Sequence, residues 1–280
     1  MVRLVTFLAA AALTFPIAPL RAQDSDDEWL DDCRHESRYD SWRDRDSRVK
    51  HCEIRESGFK GPVRGGALTV DPGMNGGVDV IAWDRDSVAV TARIQVNARS
   101  EDDADAIAKD IRIEAAGRSI SARGPEPTGR HQGWSVSFVV YVPRRTDLSI
   151  STQNGPLSVR EVNGQMDLST QNGPLALVGA AGDVRARAQN GPLMVKLTGA
   201  RWDGAGLDAE THNGPADLRI PEGYNAKIDF GTVNGPMSVG FPLTVTINGR
   251  ITDRISTTLG SGGAPIRVVT TNGPMTVRRL

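Results

Sequence analysis

The sequence is poor in aromatic residues and has almost no net charge. Phe, Trp and Tyr make up 5% of its 280 residues, and the formal net charge is −1 at pH 7. Because a domain dedicated to nucleic-acid binding carries a strongly basic face, this balance argues against a nucleic-acid partner. The few aromatics, together with 30 glycines, indicate many turns between short strands that share a thin aliphatic core.

Recognisable catalytic and cofactor-binding motifs are also missing. The sequence has no G-x-S-x-G elbow, no H-E-x-x-H zinc motif, no Walker loop and no dinucleotide fingerprint. Gly260-Ser261-Gly262-Gly263 resembles a phosphate loop only in composition, and we interpret it as a corner. His131 stands alone in a loop rich in Gly and Pro, and we assign it no role. The sequence predicts no catalytic residue, cofactor or metal ion.

Long apolar runs are absent as well. The longest covers residues 4–13, follows Arg3, and precedes Leu20-Arg21-Ala22. It is too short to span a bilayer, and the three features together are typical of a secretory signal peptide over residues 1–22. No cysteine stands directly after it to accept a lipid. We therefore expect a mature chain from near Gln23, exported to the periplasm, cell surface or medium, without a transmembrane segment.

The only two cysteines, Cys33 and Cys52, lie in a segment dense in Asp, Glu and Arg over residues 23–60. An exported chain meets an oxidising compartment, so we predict a disulfide, which would stabilise by roughly 3 kcal/mol in the chain-entropy model. His35 and His51 flank the pair and suggest a Cys2His2 metal site, but the spacing does not match usual zinc ligands. We interpret the segment as a solvated tail; the alternative is a docking arm for an envelope partner.

Residues 61–145 alternate apolar and polar side chains with period two, which predicts strands. One stretch breaks this pattern: Ser100 precedes three acidic residues and an apolar face with helical spacing. Acidic residues favour the positive end of the helix dipole, so residues 100–111 are predicted to contain one short helix.

Residues 146–280 contain an internal repeat marked by Asn-Gly-Pro. The triplet begins at Asn154, Asn172, Asn190, Asn213, Asn234 and Asn272. Successive spacings are 18, 18, 23, 21 and 38 residues. Because the last spacing is close to two units, we expect one coil that has lost its Pro, marked by Asn248-Gly249-Arg250.

Each repeat unit has the pattern of two strands, each with one buried face. The residues three and five after every Asn, and four and six before it, are apolar in all six copies. Two strands and two corners fill about 18 residues, which predicts a β-solenoid of stacked two-stranded coils. The alternative is an antiparallel β meander, since Asn-Gly also favours hairpins. Proline argues against hairpins because it restricts the preceding glycine.

The strand pattern also predicts where the repeated side chains point. By parity the six Asn face inward and form a ladder whose amides bond from coil to coil. Six residues after Asn, four of six positions are basic, namely Arg160, Lys196, Arg219 and Arg278. These four residues, here called the basic stripe, would offer a surface to an anionic envelope polysaccharide. Asp208, Glu210 and His212 share one strand face and suggest a carboxylate-histidine site.

Several of these motifs resemble a bacterial envelope family known as putative adhesins, a domain of unknown function with repeated β-strands. The resemblance covers residues 61–280 and rests on the Asn-Gly-Pro units, the helix at 100–111, Ile81-Ala82-Trp83-Asp84-Arg85-Asp86 and Val142-Pro143-Arg144-Arg145. It implies a β-solenoid without assigned catalytic residues.

Two functions follow from these observations. The first is a non-enzymatic, exported envelope protein that binds or scaffolds through an extended sheet surface, with a polysaccharide or an envelope protein as partner. The second is a carbohydrate-active enzyme, a polysaccharide lyase or hydrolase on a β-helix. Outward carboxylates that converge in a groove from neighbouring coils would favour the enzyme. End-to-end stacking of coils is a third possibility, which the terminal charges of Arg278 and Arg279 oppose.

Overall fold

The protein is built from two β-sheets, seen in a computed structural model that describes residues 26–35, 49–60, 63, 65–126, 132–242 and 254–280. The predicted signal peptide, His131 and Asn248-Gly249-Arg250 lie outside these ranges. In the described part of the chain, no helix has the length and apolar character needed to cross a membrane.

Each sheet has ten strands, and neighbours in the following orders are hydrogen-bonded. Sheet A consists of β1 (Val49–Lys60), β4 (Ser87–Ala98), β7 (Gly133–Pro143), β3 (Val78–Trp83), β9 (Leu157–Arg160), β11 (Leu175–Val178), β13 (Leu193–Lys196), β15 (Ala216–Ile220), β20 (Met275–Arg279) and β17 (Met237–Val239). Sheet B consists of β18 (Arg254–Leu259), β16 (Ala226–Asn234), β19 (Pro265–Asn272), β14 (Gly206–Asn213), β12 (Ala181–Asn190), β10 (Asn163–Asn172), β8 (Leu148–Asn154), β2 (Leu68–Asp71), β6 (Ser119–Arg123) and β5 (Arg112–Ala116). Helix α1 covers residues 26–35, and α2 is Glu101–Asp110.

The repeat units stack as parallel coils, as the sequence predicts. Each unit places its longer strand in sheet B and its shorter strand in sheet A, with an Asn-Gly-Pro corner between them. Equivalent residues of successive units pair directly, for example Asn172 with Asn154 and Leu175 with Leu157. A meander would pair these strands antiparallel, so the β-solenoid is confirmed and the meander is wrong.

The solenoid begins before the Asn-Gly-Pro repeats. Strands β2 and β3 form a coil that pairs in parallel with β8 and β9. Asn75 occupies the corner of this coil and bridges to Asn154. The sequence Asn75-Gly76-Gly77 is therefore another copy of the corner, with Gly77 in place of proline.

The order of the last two coils differs from the prediction. Strands β19 and β20 of the final unit insert between the coil of Asn213 and the coil of Asn234. In the gap between the last two triplets, the described residues 254–259 form β18, which pairs antiparallel with β16 and covers that edge of sheet B. The extra parallel coil expected from the 38-residue spacing is wrong over these residues, because the chain reverses instead of continuing around the solenoid.

The core is the space between the two sheets. It contains the apolar rows of the repeat, including Leu157, Leu175 and Leu193 from sheet A and Leu148, Met166 and Val184 from sheet B, all buried. Full burial of one such side chain contributes roughly 1.5–3 kcal/mol. Met237 and Val239 are only half-buried because their coil lies at the end of the stack.

The N-terminal charged segment is more ordered than its composition suggests. Residues 26–35 form α1, and β1 pairs with β4 along 12 residues as the edge strand of sheet A. The interpretation as a solvated tail is wrong for these residues: Asp26 is buried and forms an ion pair of 2.5 Å with Arg93 of β4. Charged side chains suit an edge strand that pairs on one side only.

Helix α2 forms where the sequence predicts it. The Ser100 hydroxyl accepts a hydrogen bond of 3.2 Å from the Asp103 amide and caps the helix, while Ala104 and Ala108 are buried. At the other end Arg55 of β1 donates to the carbonyl groups of Ala108 and Ile111. The helix thus packs on β1 and β4 at one end of the solenoid.

Candidate functional site

The repeated asparagines form a continuous ladder at one corner of the solenoid. Each Nδ2 donates to the Oδ1 of the neighbouring Asn over 2.8–3.1 Å, in the order Asn75, Asn154, Asn172, Asn190, Asn213, Asn272 and Asn234. The expected coil-to-coil bonding is present, but the inward orientation is wrong, because all of these side chains are exposed. Asn154 and its five repeat equivalents are the last residues of their sheet B strands, where the chain begins to turn, so strand parity no longer sets the direction of the side chain.

The glycine after each Asn is required by the close approach of the coils. A Cβ atom at Gly173, Gly191, Gly214, Gly235 or Gly273 would lie 2.1–2.2 Å from the carbonyl oxygen of the equivalent glycine below. None of these five described glycines has positive φ. Their role is therefore backbone-to-backbone contact, and the following proline agrees with this conformation.

The basic stripe lies in one row on the outer face of sheet A. Arg160 and Lys196 both pair with Val178, and the row continues through Arg219 to Arg278. Carboxylates of the same face neutralise part of the row, since Arg160 contacts Asp79 at 3.0 Å and Arg219 contacts Asp217 at 2.9 Å. Burial raises the pKa of Asp79, against the effect of Arg160.

The outer face of sheet B contains a row of alternating charges that sequence analysis missed. Its register is Asp167, Arg185, Asp208, Arg267 and Asp229, from β10 to β16. Arg267 donates to Asp208, and a hydrogen bond from Arg254 of β18 lowers the pKa of Asp229. These residues all stand five before an Asn, so the repeat alignment contained the signal, but only the observed coil order makes the charges alternate.

The candidate carboxylate-histidine site is an ion-pair cluster. Glu210 contacts Arg187 at 2.8 Å and Arg267 at 3.2 Å, and Asp208 also contacts Arg267. Both carboxylates therefore have arginine partners on neighbouring strands. His212 is exposed on the same strand, and none of the described residues forms a hydrogen bond or ion pair with its ring. The geometry provides charge pairing between coils and no acid-base pair poised for catalysis.

A shallow groove of about 910 Å³ runs over the outer face of sheet B. Two rows of side chains line it across the coils. The first row is Ser151, Ser169, Arg187, Glu210, Val269 and Gly231, and the second is Gln153, Gln171, Gln189, His212, Thr271 and Val233. Each residue of the second row directly precedes an asparagine of the ladder in the sequence. An alignment of the repeat units would therefore have identified this row.

Cys33 of α1 and Cys52 of β1 form a disulfide with a Cα–Cα distance of 6.4 Å. The predicted disulfide is confirmed and the alternative Cys2His2 ligation is wrong, because neither sulfur is a free thiolate. His51 instead contacts Asp105 of α2 at 2.9 Å, and His35 is exposed. Within the described ranges, no group of three or more His, Cys, Asp and Glu side chains converges as a metal site.

Gly260 and Ser261 form a turn whose Ser261 amide donates to Asn225.

We expect reduction of the disulfide to release α1 while the coils stay folded. Apart from the disulfide, α1 contacts Arg93 of β4 through Asp26 and through Trp29, over whose ring the guanidinium of Arg93 lies at 5.8 Å. Amide exchange of residues 26–35 should accelerate by about tenfold or more, whereas the free energy of unfolding of the coils should change by less than about 1 kcal/mol. Hydrogen-exchange mass spectrometry of oxidised protein, reduced protein and the Cys33→Ser/Cys52→Ser variant measures this. Unchanged exchange in α1 would contradict the prediction.

These features define a β-solenoid with a laddered corner and two differently patterned outer faces. The Toastrack DUF4097 family model matches residues 146–278, which is the repeat region of the chain. The match confirms the resemblance predicted from the repeat units. The remaining motifs of that resemblance lie before the matched region, where Arg144 forms a hydrogen bond of 2.6 Å with Asp84.

The chain is also similar to several solved bacterial structures. The chain is similar to a putative cell adhesion protein from Clostridium sporogenes, with 11% identity, a TM-score of 0.44, and 82% of this chain and 100% of that chain covered. It is also similar to a putative adhesin from Bacteroides fragilis, with 12% identity, a TM-score of 0.38, and coverage of 82% and 97%. A putative lipid binding protein from Parabacteroides distasonis shares 8% identity, a TM-score of 0.33 and the same coverage. No curated protein matches the chain.

Proposed function

We propose that this protein is an exported, non-enzymatic component of the bacterial cell envelope that binds or scaffolds through the outer faces of its sheets. The observation that carries this proposal is the register of the solenoid, which places equivalent outward side chains of successive coils in straight rows. Such rows repeat about every 4.8 Å and suit a partner that is itself extended and periodic. The disulfide between Cys33 and Cys52 agrees with an oxidising compartment.

The ion pairing of Asp208 and Glu210 supports a non-enzymatic role. A glycosidase needs a carboxyl group able to donate a proton and a second carboxylate free to assist. Here both carboxylates are bound by Arg187 or Arg267. The cluster serves the cohesion of neighbouring coils better than it would serve catalysis.

The basic stripe is the proposed contact for an anionic envelope polysaccharide. Its four cations face the two carboxylates of Asp79 and Asp217, which leaves an excess of two positive charges on this part of sheet A. Lys196 has no ion-pair partner within the described residues. Because the row is solvent-exposed, its attraction for a polyanion should weaken strongly as salt is raised.

A glycan array at low and high salt tests this proposal. We expect the oxidised protein to bind anionic polysaccharides in a salt-sensitive way, and the variant with Arg160, Lys196, Arg219 and Arg278 changed to Ser to lose about tenfold or more in affinity. The matched control changes Arg112, Arg185, Arg201 and Lys227 to Ser, which removes the same number of charges elsewhere, and should bind normally. Absence of binding to any glycan would contradict an adhesin-like role and favour a protein partner. Equal losses in both variants would contradict a role for the stripe.

A further inference from the structure

Two neighbouring rows of amide side chains at the groove on sheet B have opposite hydrogen-bonding states. The ladder asparagines beside the groove use their amides in bonds to neighbouring coils. Gln153, Gln171 and Gln189 stand one residue earlier and are exposed, and their side chains make no hydrogen bond to any described residue. Three amide groups in adjacent coils thus present unused donors and acceptors to the groove.

The charged residues of the groove, in contrast, form ion pairs, either with one another or with residues beside the groove. Arg187 and Arg267 contact Glu210, Arg254 contacts Asp229, and Asp71 contacts Arg123 at 2.7 Å. Each charge is therefore compensated locally. A strongly charged ligand would have to disrupt these pairs, whereas an uncharged polar ligand would leave them intact.

The groove also has apolar ends. Three large apolar side chains of the described chain are strongly exposed, and two of them line this groove, Met74 at 63% and Val233 at 67% exposure. Met74 lies beside the Asn154 coil, and Val233 belongs to the β16 coil at the opposite end of the stack. Exposed apolar side chains next to polar rows are typical of a binding surface.

The dimensions fit a short, extended chain. The row from Gln153 to Thr271 crosses five coils, or about 19 Å at the usual strand spacing. The volume of the groove, about 910 Å³, is near the upper end of the range for small-molecule sites. The coil spacing is comparable to the rise of one sugar unit in an extended polysaccharide, so successive hydroxyl groups would meet successive amides.

We infer that the groove on sheet B binds an uncharged, linear polysaccharide through Gln153, Gln171 and Gln189. Sugar hydroxyl groups donate and accept hydrogen bonds, as the free amides do, and the apolar faces of sugar rings can pack on Met74 and Val233. This inference rests on the proposed binding function. It assigns neutral polysaccharide to a second binding surface on sheet B, which is distinct from the basic stripe on sheet A.

The test is isothermal titration calorimetry of the oxidised protein with uncharged disaccharides and hexasaccharides. These are taken from the cello-, malto-, xylo- and manno-oligosaccharide series. We expect one hexasaccharide series to bind at least tenfold more tightly than its disaccharide, with little change between low and high salt. The Gln153→Ala/Gln171→Ala/Gln189→Ala variant should lose at least tenfold in affinity while its melting temperature is unchanged, since these side chains have no described partner. Gln165→Ala, which changes an exposed Gln of β10 outside the groove, is the matched control.

The outcomes separate this inference from the proposed function. Binding of a neutral hexasaccharide that survives in the triple variant would overturn the role of the groove but keep the binding function. Failure of every neutral series, with anionic glycans still bound through the basic stripe, would also overturn the groove. Failure of all glycans would contradict both the groove and the adhesin-like role, and would favour a protein partner. Self-association of the protein that the triple variant abolishes, measured by light scattering, would assign the groove to a second copy and overturn the inference.

Discussion

Gly191→Ala is expected to lower the free energy of unfolding by more than about 4 kcal/mol, which would leave little or no folded protein. The new Cβ would lie 2.1 Å from the carbonyl oxygen of Gly173 in the coil below, and 2.6 Å from its carbonyl carbon. Both are backbone atoms, so no side-chain rotation relieves the contact. The two coils would have to separate at this corner.

Separation of the coils would also break the bonds that converge on this corner. Between the two coils that would separate, the Gly173 amide donates to the Asn190 carbonyl oxygen over 3.1 Å. Beside this bond, the Asn190 side chain donates to Oδ1 of Asn172 over 3.0 Å. The loss of each such hydrogen bond costs about 0.5–1.5 kcal/mol, which adds to the steric penalty.

Urea denaturation followed by circular dichroism measures this effect, with Gly240→Ala as the matched control. Gly240 belongs to the end coil, and a Cβ there would lie 3.5 Å from the nearest atom, which is ordinary contact. Its free energy of unfolding should change by less than about 1 kcal/mol. A Gly191→Ala protein with near-normal stability would show that the corners are not held at the observed spacing.

The repeat itself explains why so much of the fold could be predicted from sequence. Inward positions such as Leu157, Leu175 and Leu193 are apolar in every copy because each coil buries the same face against its neighbours. Proline after the glycine identified the corners as bends between sheets. The parallel stacking, the two sheets and the bonding of the Asn ladder all follow from these local constraints.

Three features could not be predicted in the same way, each for a physical reason. Strand parity fails at Asn190 and its equivalents because the chain is already turning. Strand β1 was not predicted because its composition is charged. It pairs with β4 on one side only and is joined to α1 by the disulfide. The groove was missed because outward Ser and Gln residues look like any solvated face until the register shows that Gln153, Gln171 and Gln189 lie side by side.

The coil order is the largest departure from chain-order stacking, and charge alternation provides a reason for it. In chain order, the coils of Asn213 and Asn234 would be adjacent, and Asp208 would lie opposite Asp229. Like charges directly opposite one another on a sheet are unfavourable. The observed insertion places Arg267 between the two aspartates, so each carboxylate has a cation beside it.

Arg267→Glu is therefore expected to lower the free energy of unfolding by about 2–4 kcal/mol, between the values for exposed and buried ion pairs. The substitution removes the contacts to Asp208 and Glu210 and places a third carboxylate in line with Asp208 and Asp229. Because β19 and β20 are held on both sides by the coils concerned, amide exchange in these strands should accelerate most. Lys227→Glu is the matched control: Lys227 is exposed on β16, has no described partner and lies opposite the uncharged Thr258 and Pro265, so its reversal should cost less than about 1 kcal/mol. Equal effects of the two substitutions in urea denaturation would show that general surface charge, and not the pairing of Arg267, stabilises the inserted coil.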